Sequence, residues 1–177
     1  MVDLILAFLM LIIPLFWLRV IKKKSWKKIK QELLPTKKNP SEELIGGTKL
    51  FFALLIGSIL LSLIFTVSGV NDLEKVSEVI AINSQNLVLY LVIIIIMVFV
   101  EEFFFRSFLI KQIGVFPSSL IFGIAHAGYY SIAQIIGAFA LGLILAYWFN
   151  QNRSITQNYL GHLFYNFFAI ATYLIFR

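Results

Sequence analysis

Residues 50–70 run for 21 positions without a single charge. A helix of about 20 apolar residues is long enough to cross the hydrocarbon core of a bilayer. This one stretch already commits the chain to lipid. Further apolar segments follow at 3–20 (with Pro14 as an expected kink), 87–112, 118–127, 130–149 and 159–176, the fourth of the six being short or tilted. None shows the alternating ten-residue pattern of a membrane β-barrel strand. The expected fold is therefore all-α, a polytopic membrane helix bundle of about six segments, forming one membrane domain over 1–177. Composition agrees: 60% of the residues are hydrophobic and 14% charged, against about 45–50% and 25% in soluble domains. Without cysteine the chain has no disulfide, no thiolate metal site and no thiol nucleophile.

The net charge of +6 would suit a nucleic-acid binder if it were spread over a solvated face, but it is not. Ten of the fifteen basic residues, Arg19, Lys22, Lys23, Lys24, Lys27, Lys28, Lys30, Lys37, Lys38 and Lys49, fall in residues 19–49. The positive-inside rule assigns this stretch to the cytoplasm as a basic loop, and the partner expected for it is anionic lipid rather than nucleic acid. Trp26, Ile29 and Leu33 share a helical face there, the pattern of a helix lying among headgroups. Asn39-Pro40 and Gly46-Gly47 punctuate the stretch without marking a second domain. The segment 71–86, with Asp72, Glu74 and Glu78 against Lys75, suits the opposite side. Counting spans places Lys111 and Arg153 inside and both chain ends outside, with the plasma membrane as the expected location. Asp3 stands where a signal peptide would carry basic residues, so the N-terminus does not read as a cleavable signal.

Charged residues inside spans are costly and by default functional. The third segment contains Glu101, Glu102 and Arg106, and both histidines of the chain, His126 and His162, lie in apolar runs, as does Asn166. Glu102 and Arg106, four apart, lie about 40° out of line on a helix and can pair, whereas Glu101 points about 100° away and is left as the freer carboxylate. Measured along each helix from its expected cytoplasmic end, Glu101 lies about 15 Å deep, His126 about 12 Å, His162 about 5 Å and Asn166 about 10 Å. Three helices thus bring polar groups to similar heights, which points to a single intramembrane site.

A carboxylate, two imidazoles and a carboxamide can hydrolyse an amide. Glu101 can take a proton from water, alone or with an imidazole, and imidazole and amide N–H groups can hold an oxyanion. Alternatively Glu101, His126 and His162 could ligate a divalent metal such as zinc. Other protease chemistries fit poorly. No H-E-x-x-H motif occurs, no serine sits in G-x-S-x-G, and the two aspartates lie at span ends.

Glu101-Glu102-x-x-x-Arg106, Phe122-x-x-x-His126 and His162-x-x-x-Asn166, in this order, resemble the CPBP family of CAAX prenyl endopeptidases and Abi, bacteriocin-immunity-like membrane proteins. The resemblance covers residues 87–176. It implies an intramembrane endopeptidase acting on peptides or membrane-protein tails, with Glu101 and His126 activating water and His162 and Asn166 holding the oxyanion. Glu102 and Arg106 match motif positions and read as support. The family's immunity-like members leave a prenylated substrate open, and both metallo- and glutamate-type chemistries have been argued for it. The alternative readings are a non-catalytic immunity or binding protein that uses the polar cluster for packing or docking, and an ion or proton carrier. Small residues at four-residue spacing, Gly123 with Ala127 and Ala138 with Gly142, suit close helix packing in every case.

Overall fold

The computed structural model describes residues 2–36, 39–70 and 72–176, with backbone only at 2–4. Lys37, Lys38 and the Asp3 side chain, three of the charges discussed above, lie outside the described residues. The regular structure among the described residues is all helical, with no strand. The elements are α1 (Val2–Phe16), α2 (Trp26–Leu33), α3 (Pro40–Ser68), α4 (Glu74–Asn83), α5 (Leu87–Glu101), α6 (Ile110–Ile113), α7 (Val115–Ala125), α8 (Ile132–Asn152) and α9 (Ile155–Phe176). Four continuous helical stretches, Pro40–Ser68, Glu74–Ile113, Ile132–Asn152 and Ile155–Phe176, are long and apolar enough to cross a membrane, and Ile5–Ile21 is a shorter apolar helix. Helix α7, the short fourth segment, rises only about 16 Å. The lipid requirement is visible on α3, where Phe52, Ile56, Ile59, Leu63 and Val67 are exposed. A soluble protein would not carry so long an apolar strip uncovered.

The basic stretch departs from the expected loop. Helix α3 begins ten residues before position 50, for local reasons: the Asn39 side chain accepts from Glu42 N–H, Pro40 occupies the first turn, and Glu42 and Glu43 follow. An Asx cap, an early proline and acidic residues all stabilise a helix N-terminus. Gly46 and Gly47 lie inside this helix and press against Gln157 and Leu160 of α9. Farther along, Gly161 of α9 meets Leu50 and the Gly47 carbonyl. Helix α2 is also corrected. Ile29 and Leu33 are buried in a cluster with Leu18, Phe103, Phe108, Phe149 and Ile155, so its apolar face packs on protein. Only Trp26 stays exposed, with Arg19 5.7 Å from its ring.

The two ends of the bundle are held differently. At the basic end Lys111 donates to the Glu32 carbonyl (2.6 Å), Lys24 pairs with Glu32, and Ile155 N–H donates to the Pro35 carbonyl (3.1 Å). Buried Glu43 accepts from Thr36 (3.1 Å) and from Ser154, tying α3 to the start of α9. At the opposite end Asp72 caps α8 through Ser131 Oγ (2.9 Å), Ile132 N–H (2.5 Å) and Ala133 N–H (3.1 Å), while Lys75 donates to the Tyr130 carbonyl (2.9 Å).

Two helices change pitch. The first runs through Pro14 and widens to a π-helix at Trp17–Ile21. The second widens at Glu102–Leu109, directly after α5, and returns to α geometry at Ile110. Ser118 of α7 donates to the Phe105 carbonyl within this wide stretch (2.9 Å). Wide π turns inside α-helices recur at functional sites, and this one contains Glu102 and Arg106 and begins directly after Glu101. Helices α7 and α8 close over it through Gly123, which abuts Phe139, and Gly142, which abuts Phe122. Ala138 is buried in the same region, whereas Ala127 is exposed.

Candidate functional site

The wide turn presents Glu102 and Arg106 inward, both at 0% relative exposure. Arg106 Nε lies 3.4 Å from Glu102 Oε2. The guanidinium makes no aligned hydrogen bond among the described residues. Its cation lies instead over the Phe122 ring, 4.4 Å from the centroid, with Phe105 at 5.8 Å. A cation held over an aromatic face and away from water gains about 2 kcal/mol or more.

Glu102 is the hub of the polar contacts. Its Oε1 accepts from His162 Nδ1 (2.9 Å) and its Oε2 from Asn158 Nδ2 (3.1 Å). Asn158 also donates to the Leu145 carbonyl of α8 (2.9 Å). With Nδ1–H committed to a carboxylate, His162 turns Nε2 toward Glu101, whose Oε2 lies 3.9 Å away. Glu101 keeps a side-chain exposure of 20%, against 8% for His162. The two adjacent glutamates are thus unequal: one is sealed and neutralised, the other more open and facing an imidazole.

His126 follows the last turn of α7, where a 3-10 turn begins. Its Nδ1 donates to the Phe122 carbonyl (2.8 Å), which leaves the lone pair on Nε2, and its ring lies 4.6 Å from that of Phe122. The same Phe122 ring stands edge-on to His162 at 6.1 Å. Phe122 therefore separates the two imidazoles while covering Arg106. Asn166 is half-buried one turn beyond His162 and takes no part in this network. Since α9 starts at Ile155, His162 lies about 10 Å and Asn166 about 16 Å from its basic end, roughly 6 Å deeper than a start at Tyr159 implies.

The structure therefore gathers Glu101, Glu102, Arg106 and His162 by direct contact and brings in His126 through Phe122. Among the described residues no three His, Asp or Glu side chains are grouped as metal ligands. The set Glu101, His126 and His162 considered for zinc is not assembled that way. One contributor escaped the sequence reading. Asn158 is fully buried beneath Glu102, and its signal was the continuing four-residue series Asn158, His162, Asn166 along one face of α9.

The fold and this network define a polytopic helical membrane protein with an acid–imidazole centre buried between its helices. Residues 83–168 match the family model described as type II CAAX prenyl endopeptidase Rce1-like. The match agrees with the resemblance read from the motifs: residues 83–168 are similar to the Rce1-like, CPBP family of proteases. Comparison with curated proteins and with solved structures gives no match.

Proposed function

We propose that the chain is an intramembrane endopeptidase whose nucleophile is a water activated by Glu101 and His126. The observation that carries the reading is the asymmetry of the adjacent glutamates, Glu102 orienting His162 while Glu101 stays accessible, within the segment that matches a protease family. Glu101 takes a proton from water, with Nε2 of His126 helping to hold that water. The hydroxide adds to the scissile carbonyl carbon. The resulting oxyanion takes hydrogen bonds from His162, when its Nε2 carries a proton, and from the Asn166 amide. Collapse breaks the C–N bond, and Glu101 returns its proton to the departing amine. Glu102 and Arg106 hold His162 in place. No step is routed through a metal, in keeping with the ungrouped ligands.

In this reading residues 87–176 form the catalytic core and the basic end faces the cytoplasm, where Lys22, Lys23, Lys27 and Lys28 meet anionic lipid of the plasma membrane. Substrates are peptides or membrane-protein tails cut near that face, in peptide processing or bacteriocin self-immunity. The test uses the purified full chain in lipid nanodiscs with pooled synthetic peptides, with and without a farnesylated C-terminal cysteine, and with and without chelator. Cleavage is read by mass spectrometry. Removing a general base lowers rates by about 10²–10⁴-fold, so Glu101→Ala should leave no detectable product while inserting normally. Turnover by that variant at the wild-type rate refutes the proposal.

A further inference from the structure

Asn158 stands at a junction of three helical stretches. It belongs to α9, its Nδ2 reaches Glu102 Oε2 on the wide turn (3.1 Å), and the same nitrogen reaches the Leu145 carbonyl on α8 (2.9 Å). It has 0% relative exposure, and its Oδ1 is buried without a hydrogen-bond partner among the described residues. A polar side chain buried this deeply is retained against the cost of desolvating it. A packing role alone would favour leucine, which fills a similar space and leaves no orphaned oxygen. What leucine lacks is the donor pair. Both N–H groups are spent: one on the carboxylate that holds His162, the other on a backbone carbonyl that fixes where the first one points.

We propose that Asn158 is a positioning residue. It fixes the rotamer of Glu102, so that Oε1 is aimed at His162 Nδ1, and it thereby sets the tautomer and orientation of that imidazole. Arg106 alone cannot do this. Its Nε lies 3.4 Å from Oε2 without an aligned hydrogen bond, so it supplies charge but little direction. Asn158 supplies direction without charge. Histidine 162 lies one helical turn further along the same face of α9, so donor and imidazole grip the two oxygens of one carboxylate from a single rigid element. Second-layer partners of this kind fix which ring nitrogen carries the proton. The effect on turnover rests on the peptidase reading, whereas the effect on the His162 ring does not.

The chain has two histidines, which makes the imidazoles separately visible. Full-length protein labelled with 15N in its histidine rings, in detergent micelles, gives two sets of ring signals, assigned with His162→Gln. Wild type should show His162 with its proton on Nδ1. Asn158→Leu removes both donors, and Asn158→Ser is a smaller change that keeps the protein folded should the leucine variant fail to fold. Either should move the His162 ring toward the Nε2–H form while leaving the His126 signals in place. On a peptide that wild type cleaves, turnover should fall by about 10²-fold, the scale of a misplacement near 1 Å, with KM within about twofold. A His162 ring unchanged in folded Asn158→Ser protein overturns the proposal, as does a wild-type His162 whose Nδ1 carries no proton. If the ring shifts as expected but no peptide is cleaved by wild type, the peptidase reading falls and the positioning role stands.

Discussion

Arg106→Met is the sharpest test of how this centre is held. The guanidinium and the Glu102 carboxylate are both at 0% relative exposure and 3.4 Å apart at Nε and Oε2. At an effective dielectric near 20 their attraction is about 5 kcal/mol, set against the cost of taking both charges from water. Methionine fills much of the volume against Phe122 and keeps a favourable sulfur–aromatic contact, so lost packing is a minor part of the effect. What remains is Glu102, buried, with only the hydrogen bonds from His162 and Asn158. Removing one partner of a buried pair costs about 3–5 kcal/mol. The two remaining donors keep the loss near the lower figure. For a chain of this size about 3 kcal/mol lowers Tm by about 6–12 °C.

The assay is thermal unfolding in mild detergent, followed by tryptophan fluorescence. Glu102→Gln combined with Arg106→Met removes both charges together, and it should be more stable than Arg106→Met alone, since buried pairs replaced as a unit cost little. The double-mutant cycle should therefore show coupling of about 2 kcal/mol or more. An Arg106→Met variant melting within about 2 °C of wild type, less than 1 kcal/mol of effect, would refute the idea that Arg106 neutralises Glu102. Strict additivity in the cycle would refute it equally.

Two other features make separate predictions. A Cβ added at Gly161 would lie 2.8 Å from Leu50 Cγ and 2.9 Å from the Gly47 carbonyl oxygen, so Gly161→Ala should cost about 1–3 kcal/mol by overpacking. Gly137→Ala, which meets nothing within 4 Å, should leave the unfolding midpoint near wild type. At Asp72, partial burial pushes the carboxyl up, but hydrogen bonds from Ile132, Ser131 and Ala133 with Lys75 nearby outweigh it and hold the group below its ordinary 3.8. A depressed folded-state value gives stability that is present above pH 3.8 and lost as the pH falls through the folded value. Asp72→Asn should therefore melt below wild type at pH 6, with the gap closing below pH 3.8. A gap that stays constant from pH 6 to pH 3 would refute that linkage.

How much of this was legible in the residues depends on the range of the interactions involved. The all-helical membrane fold follows from apolar runs alone, and the Glu102–Arg106 pairing follows from spacing along one helix. Both are local properties. The start of α3 at Pro40 was also local, since Asn39, Pro40 and the two glutamates spell a helix N-terminus, but the surrounding lysines masked it as loop. The burial of Ile29 and Leu33 was not local. An amphipathic face does not reveal whether lipid or protein covers it, and here Leu18, Phe103 and Phe149 do. Asn158 was hidden for the same reason: a polar residue four positions into α9 looks like an interfacial one until Glu102 is placed against it.

The pitch change at Glu102 connects these points. At α-helical pitch, Glu102 and Arg106 stand about 40° apart. A π turn holds more residues, with hydrogen bonds to the fifth residue on, so side chains four apart come closer into line. Glu101, on the last turn of regular α5, keeps its own direction. Adjacent residues on a helix already point about 100° apart, and the change of winding falls between these two glutamates. Glu102 is turned into the packed interior against Arg106, His162 and Asn158, while Glu101 stays beside His162 with part of its surface open.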